Sequence, residues 1–367
     1  MKKIGILTYH ASHNYGSMLQ AYALQTFLPR QGFDVRIINL RVCAQSFMYI
    51  HPLMYMTYRK ARTILFHPSV IISNIKKWHA FENFIKENYR LTRECHQVSE
   101  LLQVIKEEKF DTIITGGDQI WNMNCLDFNI SYYLPFELEN VRKVSYSPSF
   151  GDGTTWNPAT MSSLLKHLLQ GYDSISVRDA AGSLFLSELM GFKVPQMPDP
   201  TFLLSKGEYE ELAGDEPLVK GKYIFYYHPY ANEKIERFAM DYAEKTGIKI
   251  VTSIGEYNQC KGMKRYQATG PKEFLNLIRY ADIVCGYSFH MVVFCMILQK
   301  DFFVISNHKD NRISGLLEAV DMSEFIYYTN DTKLRKVTSK VSNWNKIASL
   351  LSEYKKIGDD YLKESLK

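Results

Sequence analysis

Short apolar runs of strand length alternate with amphipathic stretches of helical length along the whole chain. Strands are predicted at about 3–8, 34–39, 110–115, 142–147, 173–177, 222–228, 248–253, 281–286 and 301–305. Several, such as FDTIIT at 110–115 and ADIVC at 281–285, are almost unbroken apolar runs, as expected of strands covered on both faces. Helical spacing places helices at about 16–30, 99–108, 158–170, 179–190, 232–246, 271–280, 290–299 and 343–356. Pro271, ahead of Lys-Glu-Phe-Leu, suits the first turn of one of them. This order of elements predicts an α/β protein with parallel sheets and helices on both faces.

The 367 residues exceed what one hydrophobic core usually organises, so two domains are expected. The polar stretch from Ser205-Lys206-Gly207-Glu208 to Gly214-Asp215-Glu216-Pro217 reads as the linker between them. The expected division is a Rossmann-like domain over 1–205, a second over 206–342, and a helical tail over 343–367. Two such domains facing a central cleft would put the chemistry in that cleft. No internal repeat is present, which removes solenoids and propellers.

Composition changes the picture in one region. Between Val35 and Phe81 there is no Asp or Glu, whereas Arg36, Arg41, Arg59, Lys60, Arg62, Lys76 and Lys77 all occur among Met, Tyr, Phe and Ile. Two readings fit: a segment lying on an anionic membrane surface, or a helical insertion at about 42–98 packed on the first domain. The formal charge of the whole chain, +5, comes with no basic arm, which argues against a nucleic-acid partner. The opening MKKIGILT enters a strand without a leader pattern, so a cytoplasmic location is expected, with peripheral contact at the inner membrane face if the basic segment binds lipid. Six scattered cysteines without a Cys-x-x-Cys pair read as reduced thiols.

Four turns carry candidate chemistry. After the first strand, His10-Ala11-Ser12-His13-Asn14-Tyr15-Gly16-Ser17 leads into a helix whose unpaired N–H groups can cradle an anion or a sugar hydroxyl. By spacing alone Asn14 and Ser17 are more often caps than ligand groups, Gly16 permits close backbone approach, and His10 with His13 makes an incomplete metal set, so no metal is expected. The second turn, Gly116-Gly117-Asp118-Gln119-Ile120-Trp121-Asn122, lies at the carboxyl end of a strand, where open α/β sheets bind ligands. Asp118 there is either a base for a sugar hydroxyl or a turn carboxylate. In the third, Arg178 follows a short strand and offers a fork matched to carboxylate and phosphate, while Asp199, in Asp199-Pro200-Thr201, is either structural or functional. The fourth, Gly286-Tyr287-Ser288-Phe289-His290, joins a strand to a helix and places His290 at the helix start, where an imidazole can act as acid or base.

Taken together the chain resembles the polysaccharide pyruvyl transferase family. The matching segments, in family order, are KIGILTYHASHNYGSMLQAYALQ at 3–25, FDTIITGGDQIWN at 110–122, KVSYSPSFG at 143–151, SISVRD at 174–179, PDPTFLL at 198–204, ADIVCGYSFHMVVF at 281–294 and NRISGLLEAV at 311–320. The resemblance implies a GT-B-like pair of Rossmann domains that moves pyruvate from phosphoenolpyruvate onto a sugar diol as a ketal, releasing phosphate, in capsule or exopolysaccharide biosynthesis. It implies no cofactor beyond phosphoenolpyruvate as donor substrate, and a sugar or lipid-linked oligosaccharide as acceptor. It makes His290 the catalytic candidate and Arg178 a donor-binding candidate. Some members carry an arginine two residues before that histidine where this chain has Ser288, and Arg312 is the candidate replacement. The substrate-binding set is completed by Asn14, Gly16, Ser17, Gln119 and Asp199, with Asp118 as base. Two other readings stay open from the sequence: a GT-B-like glycosyltransferase with a nucleotide-sugar donor, and a non-catalytic sugar-binding subunit of a capsule assembly complex.

Overall fold

A computed structural model describes residues 1–54, 68–151, 158–230, 232–254, 260–266, 268–329 and 337–367. Arg59, Lys60 and Arg62 of the basic segment lie outside the described residues. The chain divides into two compact units, one of residues Met1–Ile50, Ile85–Leu204 and Ser352–Lys367, the other of His51–Phe84 and Ser205–Leu351.

In the first unit β1 (Lys3–Leu7) is followed by α1 (Tyr15–Phe27), β2 (Asp34–Ile37) and the short α2 (Cys43–Met48). Next come α3 (Pro68–Asn88), whose residues fall in both units, then α4 (Val98–Glu108), β3 (Thr112–Gly116) and β4 (Arg142–Tyr146). Helices α5 (Ser162–Leu169) and α6 (Ala180–Met190) complete the unit before the break at Leu204. The four strands pair in parallel in the order β2-β1-β3-β4, with Ile4 level with Val35 on one side and Thr112 on the other. Every residue of β3 is buried, which is why its sequence is continuously apolar or small rather than alternating. Trp121 stacks on Tyr133 at 5.1 Å beside this sheet and donates its indole N–H to the Tyr132 carbonyl, so a large aromatic is buried without an orphaned donor.

The second unit runs α7 (Lys206–Ala213), β5 (Ile224–Tyr227), α8 (Glu233–Thr246), β6 (Ile250–Thr252), β7 (Lys264–Arg265), α9 (Pro271–Arg279), β8 (Ile283–Gly286), α10 (Phe289–Ile297), β9 (Phe302–Ser306), α11 (Asn311–Glu318) and β10 (Ile326–Tyr328). Its six strands are parallel in the order β10-β9-β8-β5-β6-β7. The last helix, α12 (Trp344–Ser365), expected as a separate tail, is shared between the units, and its Tyr361 donates a hydrogen bond to the Ser145 carbonyl of the first. Of the segment expected as an insertion in the first domain, His51–Phe84 groups with the second unit, where Gly270 sits so close to the Ala80 carbonyl that a Cβ would lie 2.8 Å from it.

Two differences from the sequence reading have clear causes. The expected linker at 205–217 contains α7, nucleated by a capping box in which Ser205 and Glu208 satisfy each other's backbone N–H groups. The expected strand at 173–177 forms only isolated bridges, Val144 to Ser174 and Val177 to Gln196. Serines explain this: Ser145 donates to the Ser176 carbonyl, Ser176 to the Ser145 carbonyl, and the Ser147 N–H to the Ser176 hydroxyl, so side chains occupy positions a ladder needs. Among the described residues no cysteine is in a disulfide, and burial pushes the Cys95 thiol up to about 11 and Cys260 up to about 12.

Candidate functional site

In both sheets the sequence-selected residues gather at the carboxyl ends of the strands. At the first sheet, Asn14 caps α1 by accepting from the Gly16 and Ser17 N–H groups. Ser17 then donates its hydroxyl to Asp118, which leaves β3 through the double glycine. A Cβ on Gly116 would sit 2.0 Å from the Tyr146 carbonyl, and one on Gly117 would sit 1.6 Å from the Gln20 side chain, so only glycine lets the loop pass between β4 and α1. Asp118 itself has φ of 51° and its carbonyl accepts from the Ser149 N–H at 2.7 Å. Gln119 accepts from Asn122 at 3.0 Å, beside the glycine of Gly151.

Arg178 and Asp199 meet each other. Arg178 Nη1 donates to Asp199 at 2.6 Å, with the two side chains 5% and 0% exposed. The other Asp199 oxygen accepts from the Thr201 N–H and hydroxyl, fixing the turn that Pro200 continues. The neighbouring Asp179 accepts from the Ser149 hydroxyl and the Phe150 N–H. His10 is turned inward, with Nε2 2.9 Å from the Asn39 side chain and Nδ1 3.2 Å from the Thr8 carbonyl, while the His13 ring lies 5.2 Å from that of Tyr49.

The same edge holds groups that no spacing in the sequence singled out. Ser12 donates to Asp127 at 3.2 Å, and Asp127 is raised above the ordinary carboxylate range, first by burial and then by the Asp118 charge. Tyr9 is 3% exposed, and burial together with the charge of Asp127 raises its hydroxyl far above the ordinary phenol value. Asp127 sits in CLDFN, a stretch without a motif, and only the chain's path over the sheet brings it to Ser12.

At the second sheet Gly286 ends β8 with φ of 133°, and a Cβ there would meet the Tyr227 carbonyl of β5 at 2.0 Å. Ser288 is the N-cap of α10, making His290 its second residue, half-buried with its ring 5.3 Å from Phe289. Tyr287 donates to Asp310 at 2.9 Å, stands 2.9 Å from Nε2 of His308, and faces His228 across 5.6 Å. Asp310 caps α11 and holds the Arg312 guanidinium through Nε at 3.1 Å and Nη2 at 2.8 Å. Burial pushes the Asp310 carboxyl up, but the bonds and charge of Arg312 outweigh it, leaving the group below its usual value. Burial lowers His228, which favours a neutral imidazole there. Tyr287 entered the sequence reading only as a turn residue without a role, and His228, His308 and Asp310 escaped it; of these three only Asp310, three residues before an apolar helical pattern, left a cap-like trace.

Thus Asn14, Gly16, Ser17, Asp118, Gln119, Arg178 and Asp199 share the edge of the first sheet, and Ser288, His290 and Arg312 that of the second. Ser12, Tyr9 and Asp127 add hydroxyls and a further carboxyl beside the first group, and His228 and His308 add imidazoles beside the second.

A family model for polysaccharide pyruvyl transferase matches residues 14–309. No curated protein is detectably similar in sequence. Among solved structures, the UDP-GlcNAc 2-epimerase of Methanocaldococcus jannaschii superposes with a TM-score of 0.53 at 11% identity, covering 96% of this chain and 99% of the epimerase. The Neisseria meningitidis UDP-GlcNAc 2-epimerase gives 0.51 at 12% identity over 100% and 99%. The N-terminal domain of Candida albicans trehalose-6-phosphate phosphatase gives 0.52 at 11% over 100% and 96%. At such identities the likeness establishes the fold, a pair of Rossmann-like α/β domains of the GT-B kind.

Proposed function

Because the chain belongs to the polysaccharide pyruvyl transferase family, we propose that it moves pyruvate from phosphoenolpyruvate onto a sugar diol as a ketal, in the making of a capsule or exopolysaccharide. The observation that carries this reading is His290 at the strand-to-helix turn of the second sheet, within the Ser288-Phe289-His290 segment of the family pattern. Ketal formation at C2 requires a proton at C3 and a base for the attacking hydroxyl. His290 is the proton donor in this reading, and Asp118, aligned by Ser17, is the base. Arg178, Arg312 and the N-termini of α1 and α10, with Asn14, Gly16, Ser17 and Ser288, are the groups for the donor's carboxylate and phosphate. Gln119 and Asp199 complete the substrate-binding set, Asp199 by orienting Arg178.

The acceptor is a sugar or lipid-linked oligosaccharide, and the basic stretch from Val35 to Phe81 brings the enzyme to an anionic membrane face. No described helix is long and apolar enough to cross a membrane. Phe47, Met48, Leu53, Met54 and Ile72, all exposed apolar side chains within that stretch, support contact with a lipid surface.

The test is incubation with phosphoenolpyruvate and a panel of nitrophenyl and lipid-linked glycosides. The expected result is phosphate release with a mass gain for a pyruvyl ketal, and solvent deuterium in the product methyl group. His290→Gln should lower turnover on the order of 10²-fold while sparing folding and donor affinity. Thermal stabilisation by nucleotide sugars and none by phosphoenolpyruvate would overturn the reading.

A further inference from the structure

The first-sheet edge holds two buried carboxyls on the connection from β3 to β4, Asp118 and, nine positions on, Asp127; the first accepts from Ser17 in the first turn of α1, the second from Ser12 in the loop after β1. Tyr9, from that same β1 loop, is packed edge-on to Tyr132 at 5.0 Å, and its hydroxyl is sealed from solvent without a hydrogen-bond partner among the described residues. The charges acting on that hydroxyl include both carboxylates, Asp127 more strongly than Asp118. A buried phenol that faces carboxylates yet bonds to neither is poised to donate to a third group, because leaving such a donor unsatisfied is unfavourable. Beside the Tyr9 hydroxyl, where both carboxylates act, an anion is disfavoured and neutral hydroxyls are accepted, so the ligand that fits at that spot is a polyol.

Two hydroxyls fit the chemistry better than one. In pyruvyl transfer to a diol both hydroxyl oxygens bond to C2 of phosphoenolpyruvate, and the bond from C2 to the phosphate oxygen breaks with its electrons on phosphate. Two hydroxyl protons leave; in the net reaction one ends on C3 and the other on the released phosphate. The first attack needs one base and ring closure needs another deprotonation. Asp127, with burial and Asp118 raising it, is a stronger base than an ordinary carboxylate. We propose that Tyr9, Asp118 and Asp127 form the seat of the acceptor diol, Asp118 deprotonating one hydroxyl and Asp127 the other, while Tyr9 donates to the hydroxyl that Asp127 serves. This rests on the pyruvyl transfer reading above for its chemistry, but not for the binding of a polyol.

Two measurements on the full chain separate these. Saturation-transfer NMR with 4-nitrophenyl β-galactoside, β-glucoside and β-mannoside, without donor, reads the seat alone. Tyr9→Phe should weaken the bound glycoside roughly five- to tenfold, the effect of losing one hydrogen bond. Asp127→Asn, nearly isosteric, should cut ketal formation on the order of 10²-fold while phosphoenolpyruvate still raises its unfolding temperature as in the parent. Glycoside binding that Tyr9→Phe weakens, without any pyruvyl transfer, keeps the seat and removes the pyruvyl reading. Transfer that proceeds unchanged in both variants removes the seat and keeps that reading. No saturation transfer from the parent to any of the three glycosides, the result if water alone satisfies Tyr9, overturns the seat as well.

Discussion

A carboxyl buried beside another carboxyl is unfavourable once ionised, and Asp127 is such a group, offset by hydrogen bonds from its own backbone N–H, from Ser12 at 3.2 Å and from the Gln45 side chain. Its consequence for stability has a definite sign. In the unfolded chain an aspartate titrates near about 4, whereas the folded value is raised, so over the window between the two the folded state binds more protons. Stability is therefore greatest below the unfolded value and falls as pH rises through the folded one. Asparagine has no proton to lose, so Asp127→Asn should unfold at a higher temperature than the parent at about pH 8, the gap closing as pH is lowered to about 4. Differential scanning calorimetry across that range checks it; a lower midpoint at pH 8 would assign Asp127 to structure. At this scale the sequence displayed the residues with motif neighbours, Asp118 behind its double glycine and His290 behind its strand. Asp127 and Tyr9 stayed hidden because their significance comes from burial and from which loops meet, neither of which has a period or a spacing.

Elements were legible wherever one physical rule governed a segment. Continuous apolar runs gave β1, β3, β8 and β9, and helical spacing over about 232–246 gave α8, which the structure caps with Asn232. The reading failed where two rules competed. Lys206–Ala213 looked polar enough for a linker, but the Ser-x-x-Glu box won. Residues 173–177 looked like a strand, but serine hydroxyls took the backbone's partners. Close approach between strands is a further element-scale constraint, and it falls on the glycines that start both functional turns. Gly116→Ala and Gly286→Ala each force a Cβ to 2.0 Å from a backbone carbonyl of the neighbouring strand, which cannot swing away as a side chain would. Each should destabilise by about 2–4 kcal/mol, whereas Gly207→Ala, in α7 with open space around it, should be neutral or mildly stabilising. Urea titration of the three variants makes the comparison, and equal midpoints would remove the close-approach argument.

For the whole molecule, the alternation of elements was enough to anticipate two parallel α/β domains, because crossovers between parallel strands usually contain a helix and so leave a long, regular pattern. The assignment of α3 and α12 to both units was not legible, since a helix shows which face is apolar and not whose core that face joins. Electrostatics acts at this largest scale too. The stretch from Val35 to Phe81 carries seven basic residues and no acidic ones, and its described part leaves Phe47 70% and Met54 53% exposed, a combination that ordinary soluble surface avoids. A basic residue near an anionic leaflet contributes about 1 kcal/mol, and the contribution fades with salt over a Debye length. Replacing Arg59, Lys60 and Arg62 with Gln should therefore lower partitioning onto phosphatidylserine vesicles by roughly 10²-fold at low salt. Phe47→Ser should weaken it in a salt-independent way, because the lost term is apolar. Neutral phosphatidylcholine vesicles should retain little of the protein in either case. Co-sedimentation measures all of these, and a parent protein that stays in the supernatant with anionic vesicles would detach the basic stretch from any membrane role.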